Sequence, residues 1–292
     1  MSLIQPGVLA DVPALARYLT FTLKSGAEPR RAVAALAEAV DGERCVAGFG
    51  DSLLRRLGSP FAGVRPFPSY TGAGFDVPST PAALWCWLRG TDRGVLVHEA
   101  RAIERIVEGA FVLDRAVDGF RYGTGRDLTG FEDGTENPQG EKALAVAAAR
   151  GMGDGVDGST FVAVQQWVHD FTAFEAMSAD QQDNTIGRRK RDNEELEDAP
   201  PSAHVKRTAQ ESFTPEAFVL RRSMPWADAT RAGLMFVAFG KTLDAFEAQL
   251  KRMAGAEDGI ADAMFAFTRP ITGAYFWCPP VRGGRLDLSK AM

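Results

Sequence analysis

The chain has 292 residues, 45% of them hydrophobic and 24% charged, which is ordinary globular composition with enough apolar material for a large core. Its net charge of −5 argues against a nucleic-acid binder, which normally carries a basic excess. Cys45, Cys86 and Cys278 are odd in number and far apart, so neither a disulfide framework nor a Cys-x-x-Cys metal site is present.

The length exceeds the usual single domain and favours two units, or one pseudo-symmetric pair. The opening Met1 to Gly7 shows no basic-then-apolar signal pattern. No apolar run reaches the length of a membrane span. The expectation is a cytoplasmic protein.

Arg17 to Lys24 alternates as a strand, and a helix follows from about Pro29 with Val33, Leu36, Ala37 and Val40 on one face. Arg44 to Phe49 reads as a second strand, and Gly58 to Pro81, rich in Gly and Pro, as a long connection. Leu84 to Leu88 is a buried strand, Thr91 to Val107 a helix, and Phe111 to Tyr122 extended. This is the β-α-β-β-α-β order of a ferredoxin-like unit. Next comes the loop Gly130-Phe131-Glu132-Asp133-Gly134-Thr135-Glu136-Asn137-Pro138, a composition no helix or central strand accepts. Either it is a surface turn or it presents a carboxylate, Asp133.

The glycine-rich stretch Gly151 to Gly158 has neither the alternating acids of a calcium loop nor the Lys-Ser/Thr of a phosphate loop, and reads as a junction. The pattern then restarts. Ser159 to His169 is a strand, Phe171 to Met177 helical, and Ser178 with Gln181 forms a capping box. Gly187 to Ser202 is charged loop, Phe218 to Trp226 extended, and Leu234 to Phe239 a buried strand. A helix carrying Leu243, Phe246, Leu250 and Met253 and a last strand, Gly273 to Cys278, close the chain. The two halves echo each other. The expected fold is α+β, a tandem duplication of ferredoxin-like units with antiparallel sheets flanked by helices, divided as 1–150 and 151–292.

Only three histidines are available for chemistry. His98 lies in a helix. His169 ends a strand beside Asp170, where a capping or surface role is the plain reading. His204 follows Pro200-Pro201, whose restricted backbone gives a rigid lead-in that can aim an imidazole. A His-Glu-x-x-His zinc site, a Gly-x-Ser-x-Gly elbow and a Gly-x-Gly-x-x-Gly dinucleotide loop are all absent. Haem needs only one protein ligand, and with no Cys-x-x-Cys-His it would be bound non-covalently. Peroxide activation on haem needs an acid/base group and a cation on the open face, which Asp133 and Arg221 can supply.

Phe131-Glu132-Asp133-Gly134-Thr135-Glu136-Asn137-Pro138 resembles the signature loop of the dye-decolourising peroxidases, in its intracellular bacterial, porphyrinogen-peroxidase-like class. Ile186-Gly187-Arg188, Ala203-His204-Val205-Lys206-Arg207, Leu220-Arg221-Arg222-Ser223 and the segment Glu257 to Phe276 resemble further family blocks in the same order. The resemblance implies a dimeric α+β barrel type of fold holding one haem b per chain, mainly in the second unit. It implies His204 as iron ligand, Asp133 as distal acid/base and Arg221 as distal cation. Arg188 would pair with a haem propionate, Gly134 and Thr135 would bring backbone close to the porphyrin, and Ser223 would be a further distal residue where some relatives have Asn. Asp262 would accept the other ring N–H of His204, with Asp258 behind it.

The implied activity is a peroxidase that reduces hydrogen peroxide while oxidising a dye, phenolic or porphyrinogen in one-electron steps. A haem- or porphyrin-handling protein with incidental peroxidase activity is the alternative. Trp167, Trp226, Trp277, Tyr122 and Tyr275 could relay electrons, although aromatics on strands are usually core. The resemblance also implies a homo-oligomer and, for some members, cargo of a protein shell. The tail from Arg282 to Met292 shows no clear docking peptide.

Overall fold

The structure is a computed structural model, and it describes residues 3–61, 63–72 and 74–292. In the first half, strands β1 (Leu15–Leu23), β2 (Cys45–Phe49), β3 (Leu84–Gly90) and β4 (Phe111–Phe120) form an antiparallel sheet in the order β2-β3-β1-β4. In the second half, β5 (Thr160–His169), β6 (Leu220–Arg221), β7 (Met224–Ala227), β8 (Ala232–Gly240) and β10 (Ala274–Cys278) repeat it. There β10-β5-β8 is followed by β6 and β7 sharing the free edge of β8. The short β9 (Thr268–Pro270) extends β5 beside β10.

Both halves therefore place their first and third strands in the middle, which is the ferredoxin-like order expected from the sequence. The sheets join at two seams, each a single residue pair, Trp277 with Phe49 and Gly119 with Trp226. With β5 also paired to β8, the strands close into a barrel.

Strand alternation then decides two cores. Inward-facing Tyr18, Trp85, Trp87, Val162, Phe239 and Phe276 fill the barrel, with Tyr18 stacked on Trp87 at 6.3 Å. Outward-facing residues of the first sheet, such as Leu19 and Leu88, meet helices α1 (Arg30–Ala39) and α2 (Arg93–Val107). Val33 and Leu36 on α1, and Leu96 and Ile103 on α2, supply the apolar stripes at 3–4-residue spacing. Asp92 starts α2 by accepting from the Val95 amide at 2.9 Å. The outer face of the second sheet is covered by α6 (Asp244–Met253), through Phe246, Leu250 and Met253. It is also covered by α4 (Ala179–Ile186) and the one-turn α5 (His204–Arg207), and α3 (Phe171–Glu175) precedes these.

Elements begin and end within a few residues of their expected bounds, and Ser178 and Gln181 form both bonds of the capping box. Three stretches differ. The connection from Gly58 to Pro81 contains a hairpin, Tyr70–Gly72 with Phe75–Val77. Short helices also form at Asp51–Arg56 and Gly140–Ala147. The extended region Phe218 to Trp226 is divided into β6 and β7, and between them the Arg222 side chain donates to the carbonyls of Val8 and Leu9 at 3.1 and 3.0 Å. Among the described residues no helix is long and apolar enough to cross a membrane.

Candidate active site

Between the outer face of the second sheet and its helices lies an open cleft. Asp133, Arg188, His204 and Arg221 all line it, although up to 88 residues separate them in sequence.

His204 opens α5. Its approach is fixed by Arg207, a buried guanidinium that grips Asp258 through two bonds of 2.8 and 2.7 Å and donates to the Arg252 carbonyl on α6. Gly187, the left-handed cap of α4 (φ 92°), abuts this segment so closely that a Cβ would stand 2.3 Å from Val205. The Ser202 carbonyl accepts from the Ala263 amide at 2.8 Å and brings Asp262 alongside. The fully buried Asp262 carboxylate takes His204 Nδ1 at 2.7 Å and the Met264 amide at 2.9 Å. A carboxylate only accepts, so Nδ1 carries the proton. The lone pair of Nε2, which has no partner among the described residues, is left for the cleft.

The loop bearing Asp133 is fastened on both sides. Glu132 accepts from Arg126 and from the Thr124 hydroxyl, each at 2.8 Å, and the Asp133 amide donates to Gly125 at 3.2 Å. Phe131 packs with Phe174 and Phe267 in a small cluster of its own. The ammonium of Lys190 lies 5.0 and 4.9 Å from the Phe131 and Phe174 rings. Desolvation there pulls the lysine pKa below its ordinary value.

Arg221 approaches from β6. Its Nη1 lies 3.5 Å from Asp133 Oδ1, and both side chains are about one-fifth exposed. The Asn137 amide holds the Arg221 backbone at two points, accepting from its N–H at 2.8 Å and donating to its carbonyl at 3.0 Å. Gly134 leaves room for this amide. Its φ is 78°, and a Cβ would lie 2.7 Å from Asn137 Nδ2.

Arg188 stands at the mouth, bonded to Glu136 at 2.6 Å, to Glu195 at 3.3 Å and to the Asn193 carbonyl at 2.9 Å. Thr135 lines the cleft and its hydroxyl accepts from Asn193 at 2.9 Å. Gly134 and Ser223 border a neighbouring cleft that shares Asp133 and Arg221 with the first. The Ser223 hydroxyl accepts the Val237 amide at 3.3 Å. Asp258 lies behind Arg207 and does not touch the His204–Asp262 pair. Trp167, Trp226, Trp277 and Tyr275 are buried, as core aromatics, while Tyr122 is 46% exposed.

His169 is not at the surface. It is buried in the cleft wall, with Nδ1 2.7 Å from the Thr268 hydroxyl and Nε2 2.9 Å from Asp127. Burial alone would raise the Asp127 pKa. The His169 ring, its charge and the Thr129 hydroxyl and amide outweigh burial and hold that carboxyl below its ordinary value. The sequence signal lies in the alternation. Gln165, Trp167 and His169 share one face of β5, a polar-tipped row unlike the aliphatic rows of the first sheet.

Residues 124–283 match the family model described as Dyp-type peroxidase, C-terminal. The dye-decolorizing peroxidase of Mycolicibacterium paratuberculosis is 31% identical over 94% of this chain and 75% of its own. That of Mycobacterium tuberculosis is 30% identical over 94% and 88%. Among solved structures, a dyp-type peroxidase protein from Shewanella oneidensis superposes with a TM-score of 0.89 at 29% identity, covering 96% of this chain and 97% of that one. A variant of DypB from Rhodococcus jostii, in complex with heme, gives 0.85 at 27% identity, covering 94% and 96%. The chain belongs to the dye-decolorizing peroxidase family.

Proposed function

We propose that this chain is a haem b peroxidase in which His204 holds the iron, Asp133 moves the proton and Arg221 stabilises developing charge. The observation that carries the reading is the convergence on one cleft of a carboxylate-backed histidine with a free Nε2 and an aspartate–arginine pair. The residues fit the group. The walls include Phe236, Phe246, Leu250, Met253 and Met264, which suit an apolar macrocycle, and Arg188 at the mouth suits a carboxylate edge. A propionate there would take the place of Glu136 or Glu195 on that guanidinium. Thr135 lines the same mouth, whereas Gly134 and Ser223 act on this reading by supporting Asn137 and β8.

When bound, haem supplies the redox chemistry, accepting two oxidising equivalents from hydrogen peroxide and returning them to a reducing substrate one electron at a time. Asp133 takes the proton from one peroxide oxygen and delivers it to the other, which leaves as water. The Arg221 guanidinium, held in place by Asn137, offsets negative charge on the departing oxygen. Asp262 keeps His204 in the Nδ1–H tautomer and increases the basicity of Nε2.

Residues 1–150 and 151–292 are, on this proposal, the two repeat units, the second holding most of the haem site and the first contributing the Asp133 loop. Assembly into a homo-oligomer, and packaging as shell cargo, rest on family resemblance and are read by light scattering. The reductant class, a dye, phenolic or porphyrinogen, rests on the same ground.

The test is an absorption spectrum of protein supplied with haem, beside His204→Ala and Asp133→Ala, before and after one equivalent of hydrogen peroxide. The expected outcome is a Soret band lost in His204→Ala, and a rapid spectral change on peroxide addition that Asp133→Ala slows. An unchanged Soret band in His204→Ala would remove the assigned ligand. Bleaching with release of iron in the wild type would favour the haem-handling alternative.

A further inference from the structure

The His169–Asp127 pair is a buried titratable couple in the cleft wall that the mechanism above does not use. Its surroundings give it two ends. On one side Asp127 organises the start of the distal loop. Its Oδ1 accepts the Thr129 amide and hydroxyl at 2.8 and 2.6 Å, and its own amide donates to Phe131 at 2.9 Å. Asp133 follows six residues later.

On the other side Thr268, which takes His169 Nδ1, ends the segment that begins at Asp262, again six residues away. Asp262 is the carboxylate behind His204. Within that segment the Phe267 amide donates to Met264 at 3.0 Å, and the Met264 amide donates to Asp262 at 2.9 Å. A second tie runs in parallel, because Phe131 of the loop and Phe267 of the segment pack in one cluster.

We propose that His169 is a positioning residue that clamps the distal and proximal sides of the cleft to one another, through Asp127 to the Asp133 loop and through Thr268 to the Asp262 segment. The ionised Asp127 only accepts, so His169 Nε2 carries a proton. The Thr268 hydroxyl, with its single proton, lies 2.7 Å from His169 Nδ1 and 3.1 Å from the Val168 carbonyl, which anchors the clamp to β5. Loss of either end leaves only the Phe131–Phe267 packing to hold the loop and the segment in register. The distal consequence rests on the reading of Asp133 as acid/base; the proximal one rests only on His204 holding the iron.

The test uses the full haem-loaded chain and two readouts, the rate of the peroxide-induced spectral change and the iron–histidine stretching band in resonance Raman of the reduced protein. His169→Phe keeps a ring where Phe171 and Phe267 already lie 5.7 and 6.0 Å away. Thr268→Val is nearly isosteric and removes only the hydroxyl. Both are expected to slow the peroxide step roughly 10- to 100-fold, the range seen when hydrogen-bonded support behind a metal site is removed. Both are also expected to shift the Raman band, and Thr268→Ser is expected to restore both readouts.

Asp133→Ala is the reference, expected to slow the peroxide step and leave the band in place. If Asp133→Ala does not slow that step, the acid/base reading fails while the Raman band still judges the clamp. If His169→Phe and Thr268→Val leave the band at its wild-type position, the clamp is overturned, whatever happens to the rate. A loss of thermal stability without a band shift overturns it as well.

Discussion

The two halves of the chain fold the same way and do opposite things with the space between sheet and helices. In the first half, Leu19, Leu88, Val33, Leu36, Leu96 and Ile103 fill that space and are almost fully buried. In the second, the corresponding layer offers Gln165, His169 and the half-buried Leu234 and Phe236, and it opens into the cleft. Each filled leucine position contributes about 1.5–3 kcal/mol of burial. The second layer gives part of this up, and on the proposed function haem would recover it. A duplicated fold can thus keep one copy as scaffold and hollow the other for chemistry.

The largest test of this contrast empties the second layer. Without haem, and in His204→Ala with haem supplied, the thermal midpoint is expected to fall well below that of the loaded wild type. Ligand present at a thousand times its dissociation constant adds about 4 kcal/mol. Equal midpoints with and without haem in calorimetry would mean that the second layer is already self-sufficient.

A paired substitution sharpens the point. Leu36→Ala in the first layer should cost about 2–5 kcal/mol by urea unfolding, whether or not haem is bound. Phe236→Ala truncates a half-buried side chain of the cleft wall, so its cost should be smaller in the haem-free protein and grow on loading. Equal costs in both states would erase the distinction between the layers.

A smaller effect is expected from Asn137→Ala, which frees the Arg221 backbone without touching the cleft's apolar walls. Stopped-flow traces should show the peroxide step slowed about tenfold, equivalent to roughly 1.4 kcal/mol of barrier, with haem affinity unchanged. Full-rate peroxide reaction in that variant would show that Arg221 is held by other means.

The smallest effect is on pH stability. The bond from Arg207, helped by the Ile260 amide, lowers the Asp258 pKa to about 2. A depressed carboxylate contributes stability that is present above its ordinary pKa and lost as pH falls through the folded value. Acid titration of wild type against Asp258→Asn should therefore show a difference that shrinks between about pH 4 and pH 2. An identical acid limb in the two proteins would assign the α5–α6 tie to the Arg252 carbonyl alone.

Much of this is legible in the residues. The echo of Leu84 to Gly90 in Leu234 to Gly240, each followed by a helix, reports the duplicated unit. The acid-rich loop around Asp133 advertises itself because its composition has no home in a regular element. His169 is harder to read. A histidine at a strand end looks like a cap until Asp127, 42 residues earlier, and Thr268, 99 residues later, are folded against it. Asn137 is hidden for the same reason, since an Asn-Pro in a loop reads as turn chemistry and its partner backbone lies 84 residues away. The positive φ of Gly134 and its contact with Asn137 are a further local demand that the loop composition does not disclose.

The seams have a consequence for how such a chain can be divided. Each sheet is internally complete in its backbone pairing and meets the other through one residue pair per edge. Side chains join the halves further: Trp277 and Phe49 are both fully buried at one seam, and Asn137 with Arg221, Asp127 with His169, and Arg222 with the Val8 and Leu9 carbonyls bond across from one half to the other. The covalent link between them runs through Gly151, Gly153, Gly155 and Gly158, all at positive φ, in a stretch that belongs to neither sheet. A backbone cut there removes no strand pairing, so two separately encoded fragments have every hydrogen bond of the barrel available to them on reassembly. The molecule is in effect a heterodimer that happens to be written as a single chain.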